Sequence, residues 1–249
     1  MKVYIGGAKY TPGAYAKSRP SAAELADRYI REWDEKRLAE KETAPAVYPT
    51  ICFSRKIGVG ALEVADVLGD MIGYRVVDRG ILETIAEEAD LGEKTVALFD
   101  ERYPGKLSEF WAMAFGEKSF IESDYSRHLF KAVYAIASMG PTIFVGRGAH
   151  LLLPRDRVLA VRFVSSDEHR IKRIAEMLRV EISAVESKLD HMDKEQRDFF
   201  KRVYGRKNAP LEEFDLGINL ECITGPKGAA EIVTLAFRQK FDEAPTLSA

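Results

Sequence analysis

Three short stretches carry residues whose types and spacing could handle phosphate. The first is Ser54-Arg55-Lys56-Ile57-Gly58-Val59-Gly60-Ala61-Leu62-Glu63, set between an apolar strand-like run and a helix-like one. A glycine-bearing turn at that junction can aim backbone N–H groups, and the positive end of a helix dipole, at a phosphate. The full pattern GxxxxGK[ST] adds a lysine that reaches the β and γ phosphates and a hydroxyl that holds magnesium. With Gly60 as the last glycine, Ala61 and Leu62 stand at those two positions. Arg55 and Lys56 are then the nearby cations that could replace the lysine from the other side of the loop. The alternative for the same residues is an ordinary strand-to-helix turn with solvated cations.

The second stretch is Asp78-Arg79, closing an apolar run at the edge where open α/β sheets place their ligands. An adjacent acid and base there could orient a nucleotide, or be a surface salt bridge with Asp78 as a helix cap. The third is Gly146-Arg147-Gly148, where the guanidinium fork suits a phosphate and the glycines permit close backbone approach. His150, two residues on, reads as a packed or capping histidine rather than a base. Between Arg170 and Lys207 eleven Lys/Arg face seven Asp/Glu, a local excess that marks an anion-facing surface. Within it Arg170 and Arg173 share one helical face, and Asp193 and Arg197 another. Phe199 and Phe200 read as packing residues.

These groups need a scaffold, and the composition supplies an ordinary one. The chain has 249 residues, 46% hydrophobic and 31% charged, enough for one large α/β domain or one domain with an extra segment. The net charge is −2, from 37 basic and 39 acidic side chains, so no global field recruits nucleic acid or an anionic membrane. Any anion site must be local. Cys52 and Cys222 each sit in an apolar run, as reduced thiols do in a reducing compartment. No apolar run approaches the roughly 18 to 20 residues of a spanning helix, and the N-terminus lacks a secretory core. A cytoplasmic protein is expected.

Apolar runs predict strands at Pro49–Ser54, Tyr74–Asp78, Thr142–Gly146, Val158–Val164 and Leu216–Leu220. Helical spacing falls between them at Gly60–Ile72, Gly80–Ala89, Lys94–Met139, Asp167–Arg179, Ser183–Tyr204 and Ala229–Phe241. That alternation is the pattern of βαβ units in a parallel sheet. Residues 1–46 read as an extension with one amphipathic helix. Ser21 and Glu24 form its capping box, and Leu25, Tyr29 and Trp33 make a stripe that could lie on the main domain or on a second subunit. Glu42–Ala46 reads as a linker, 47–241 as the main domain and 242–249 as a tail.

In order and spacing, these pieces resemble the cytidylate kinase-like family of nucleoside monophosphate kinases. The blocks are SRKIGVGALEVADVLGDMIGY, VVDRGILETIA, IFVGRGAHLLL, VRFVSSDEHRIKRI and DKEQRDFFKRVYG with FDLGINLE, from about Pro49 to Phe241. The resemblance implies an α/β fold of the P-loop kinase type. Its parallel sheet would have about five strands, with a helical monophosphate-binding insertion near 79–140 and a lid near 179–212. It implies ATP and magnesium as cofactors and CMP, dCMP or another small phosphate as acceptor; a membrane partner is not expected, and the net charge and absence of a recognised motif disfavour nucleic acid. Carried over by position, Ser54, Gly58, Val59, Gly60, Ala61 and Leu62 would hold the donor. Asp78, Arg79, Arg147 and Asp193 would face the acceptor, and Arg55, Lys56, Arg170 and Arg197 would supply catalytic charge. Metal ligands are unassigned. The sequence departs at Ala61, Leu62 and Gly148, where a phosphate-loop cation, a hydroxyl and an aspartate are the family's pattern. A degenerate member that binds nucleotide or a partner without turnover is the alternative.

Overall fold

The computed structural model describes residues 3–15, 17, 19–39, 47–87, 124–206 and 209–241. The Trp33 side chain, the linker, the part of the Lys94–Met139 region before Asp124, Lys207 and the tail lie outside the described residues. The elements run β1 (Val3–Ile5), β2 (Ala8–Tyr10), α1 (Ala22–Ala39), β3 (Thr50–Arg55), α2 (Ala61–Ile72), β4 (Arg75–Asp78) and α3 (Arg79–Glu87). After the undescribed stretch come α4 (Asp124–Met139), β5 (Thr142–Val145), β6 (Val158–Val164), α5 (Asp167–Leu178), α6 (Ile182–Tyr204), β7 (Leu216–Asn219) and α7 (Gly225–Phe241). All five expected strands form one parallel sheet, in the order β4-β5-β3-β6-β7. The register runs from Arg75 opposite Thr142 to Asp78 opposite Val145, and from Val161 opposite Leu216 to Val164 opposite Asn219. Because β3 is central, and buried along its whole length, its apolar run shows no alternation.

The chain divides into two compact units. The first comprises Met1–Ser18, Phe53–Tyr74 and Ala160–Ala249. Its N-terminal piece is a hairpin: Gly6 and Gly7 both have positive φ, as a tight two-residue turn requires, and pair β1 with β2. Ile5 and Tyr10 are buried with Ile57, Ile174, Val185, Leu189 and Met192, so this piece belongs to the core of the unit that carries the loop. Phe53 and Phe163 stack edge to face beside it, and α2 packs on α7.

The second unit comprises Arg19–Cys52 and Arg75–Leu159. Its helix α1 opens on the expected capping box: the Glu24 carboxylate accepts from Ser21 N at 2.8 Å and Ser21 Oγ accepts from Glu24 N at 3.2 Å. Leu25, Ala26, Tyr29 and Ile30 are buried, and α1 packs on α3 and α4. Leu25 and Tyr29 are therefore spent inside their own unit, which resolves the open choice for that part of the stripe: it is core, not a face for a second subunit. Among the described residues no helix is long and apolar enough to cross a membrane.

Candidate functional site

The chain leaves β3 and enters α2 through a turn that only glycine can make. Gly58 and Gly60 have φ of 85° and 96°, and Gly60 caps α2 with no side-chain hydrogen bond. A Cβ on Gly58 would lie 2.7 Å from Ile174 Cδ1 and 3.3 Å from the Arg170 carbonyl oxygen. A Cβ on Gly60 would lie 3.0 to 3.2 Å from the Arg173 guanidinium. Arg173, on α5, thus lays its charge against the glycine that opens the helix, while pairing with Glu63 at 2.6 Å. Ala61 and Leu62 are buried, 1% and 5% exposed, and offer the loop nothing polar.

Two cavities open beside this loop, both within the first unit. One, of about 430 Å³, is lined by Val59 and Gly60, by Glu63 and Val64, by His169, Lys172, Arg173 and Glu176, and by Leu220, Glu221, Ile223 and Pro226. Its carboxylates offset its cations, and its remaining walls are aliphatic. Glu221 also accepts from Ser166 N at 3.0 Å, and this hydrogen bond holds its carboxyl below the usual range. The other, of about 300 Å³, is lined by Lys56, Arg162, Asp193, Gln196, Arg197, Phe200 and Ala209. Its one carboxylate, Asp193, is already gripped by both nitrogens of Arg170, at 3.0 and 2.8 Å. Lys56, Arg162 and Arg197 therefore dominate its field. Arg162 donates to Ser54 Oγ at 2.6 Å and lies over the Phe214 ring, but has no ion pair among the described residues. Burial depresses its pKa.

Several expected site residues are elsewhere. Arg170, read as a catalytic cation, is 0% exposed: it donates to the Ile57 carbonyl at 3.0 Å, to Asp193, and to Asp167 at 2.6 Å. Burial alone would lower its pKa, and the two carboxylates outweigh that and raise it. It builds the loop instead of meeting a ligand. Arg55 is 6% exposed and donates to the Pro12 carbonyl and to Gln196. Lys56 reaches Asp167 at 3.3 Å from a half-exposed position and lines the cationic cavity with Asp193 and Arg197. Those three converge on the cationic cavity, as Val59 and Gly60 do on the other.

In the second unit, Asp78 caps α3 through Ile81 N at 3.1 Å and pairs with Arg19 at 3.4 Å. Arg79 donates to Glu83 at 2.8 Å, and Arg147 pairs with the same carboxylate. The three side chains are 9 to 14% exposed. Gly146, Arg147 and Gly148 are consecutive positive-φ residues, at 91°, 52° and 70°. This turn holds its arginine in an ion pair, so Asp78, Arg79 and Arg147 are not a set of open anion ligands. His150 is buried, as a packed histidine.

Arg162, Gln196 and Glu83 were not singled out by the sequence, and Arg173 only as sharing a helical face with Arg170. Arg162 did carry a signal: it is the single charge in the strand VLAVRFV.

No curated protein matches the sequence. A crystal structure of an uncharacterized protein from Eubacterium ventriosum ATCC 27560 matches the fold with a TM-score of 0.57 at 17% identity, covering 78% of this chain and 99% of that one. The cytidylate kinase-like family matches residues 50–221, which hold the loop, the cationic cavity, most of the other cavity's lining and the paired arginines; the chain belongs to the cytidylate kinase-like family.

Proposed function

We propose that this protein is a phosphotransferase that moves the terminal phosphoryl group of ATP to a nucleoside monophosphate of the CMP or dCMP class. Family membership suggests nucleotide kinase activity. The observation that carries the finer reading is that one turn serves two cavities of different character. Val59 and Gly60 line a charge-balanced, partly aliphatic one, and Lys56 lines a cationic one. A nucleotide laid across the turn would put its base and sugar in the first and its phosphate chain over the glycines toward the second. Phosphoryl transfer spreads negative charge over peripheral oxygens, and catalysis is largely positioning beside cations. Lys56 and Arg197 would do that work, with Arg173 beside Gly60 where the loop itself has no lysine.

A phosphate chain fits these residues. A protein-held magnesium ion does not: Leu62 replaces the hydroxyl, and Glu63, Asp167 and Asp193 are each held by an arginine.

One observation favours a second reading, nucleotide binding without turnover: the positions of the missing lysine and hydroxyl are buried and apolar. ATP consumption measured with magnesium across nucleoside monophosphates, beside ATP binding measured directly, separates the two. Turnover supports the enzyme, and binding without turnover supports the alternative. Absence of both overturns the site.

A further inference from the structure

Residues 1–49 precede the stretch that matches the family, yet the hairpin of β1 and β2 packs on Ile57 and the turn after it reaches Arg55, the last residue of β3. Arg55 is the meeting point. Its Nη2 donates to the Pro12 carbonyl at 3.4 Å and its Nη1 to Gln196 Oε1 at 3.5 Å, while its own carbonyl accepts from Gln196 Nε2 at 2.8 Å. Gly13 has φ of 101°, and a Cβ there would lie 2.7 Å from Arg55 Nη2. The neighbouring Tyr10 hydroxyl accepts from Gly13 N at 3.4 Å, closing the turn over the guanidinium. Two further ties run to α2, the helix that leaves the loop: Tyr15 donates to Asp66, and Lys17 pairs with Asp70 at 3.7 Å.

We infer that the N-terminal segment Val3–Tyr15 is a built-in buttress of the phosphate loop, acting through Arg55 as a positioning residue that touches no ligand. Its guanidinium links the Pro12–Gly13 turn to Gln196, and Gln196 in turn fixes the carbonyl from which Lys56 departs. Gln196 and Lys56 both line the cationic cavity, so a change at Gly13, which lines neither cavity, reaches it. The affinity readout below rests on the proposal that phosphate binds over this loop. The structural readout does not.

The test compares wild type with Gly13→Ala and Arg55→Lys, the latter keeping the charge and one of the two side-chain links. Hydrogen exchange is followed in the folded proteins, and binding is measured for ADP and for adenosine. The expected result is faster amide exchange confined to residues 55–62. ADP affinity should fall about three- to tenfold, the net worth of about one ordinary hydrogen bond lost through misplacement of the loop, with adenosine affinity unchanged. Gly13→Ala should show the larger effect, because its strained Cβ displaces the guanidinium outright. Unchanged exchange at 55–62 in both variants overturns the inference, as does an equal loss of ADP and adenosine affinity, which a merely structural defect produces. If wild type binds neither ligand, the phosphate-loop reading fails while the exchange result still decides the buttress.

Discussion

The turn after β3 and the turn after β5 look alike in sequence: each ends a buried strand, carries two glycines one residue apart, and has arginine close by. Their arginines fare differently. At the β5 turn Arg147 is 9% exposed against Glu83, a carboxylate it shares with Arg79. At the β3 turn Arg173 meets Glu63 with 21% and 30% exposure, at the wall of a cavity. On the proposed function, the cation whose carboxylate is exposed is the one open to a ligand, and the cation whose carboxylate is buried is structural. Water competes for an exposed pair and leaves the cation available, whereas desolvation locks a buried one.

The contrast breaks most visibly at the carboxylates. Glu83→Gln leaves Arg79 and Arg147 buried without their common anion and should cost about 3 to 5 kcal/mol, read from urea unfolding. Glu63→Gln should cost less than about 1 kcal/mol, since both partners are partly solvated. Equal losses would remove the distinction between the two turns.

Next in size is the loop glycine. Gly60→Val forces a β-branched residue to φ of 96° and pushes on Arg173. ATP affinity should fall at least about tenfold, with the far-UV spectrum retained. Gly148→Val, at φ of 70°, should destabilise by about 1 to 3 kcal/mol and leave ATP affinity in the surviving folded protein unchanged. Intact ATP affinity in folded Gly60→Val would remove the β3 turn from nucleotide binding.

The frame was legible because its signals are local. Five apolar runs became five strands within a residue or two, and Ser21-Ala-Ala-Glu24 announced α1. The hairpin was signalled by Gly6-Gly7 between Ile5 and Ala8, yet the segment read as an add-on: sequence shows that a turn forms, not what the strands pack against. The site was legible in residue type and not in partner. Lys56, Asp193 and Arg197 converge, but Arg170 and Arg55 were drawn into buried bonds by Asp193, Asp167, Gln196 and two backbone carbonyls. Those contacts span 3 to 141 positions along the chain, and spacing carries no trace of the distant ones. The same holds for Arg147 and Glu83.

A smaller effect sharpens the comparison from the ligand side. Because Glu63 competes with any anion for Arg173, Glu63→Gln should raise pyrophosphate affinity about three- to fivefold, the counterpart of a weak exposed pair. Glu83→Gln should leave pyrophosphate affinity unchanged in its folded fraction. Calorimetric titration of both variants checks this, and a fall in affinity for Glu63→Gln would mean that Glu63 orients Arg173 instead of opposing it.

The smallest effect concerns Asp167, an exposed carboxylate bonded to the fully buried Arg170. Hydrogen bonding to Arg170 holds its pKa below the usual carboxylate value, against an opposing push from partial burial and with help from Lys56. A pKa lower in the folded than in the unfolded chain means that the unfolded chain binds more protons in the intervening range. The stabilisation is therefore complete above the unfolded pKa of about 4 and is lost as pH falls through the folded value. The Asp167 side chain is 61% exposed, so solvent limits the contribution to under about 1 kcal/mol. Wild type should exceed Asp167→Asn in unfolding free energy by a constant margin between about pH 7 and 5, and the margin should close at more acid pH. Urea unfolding across that range reads it directly. A margin that persists below the folded pKa would assign the role of Asp167 to packing or to helix capping at the start of α5, and not to its charge on Arg170.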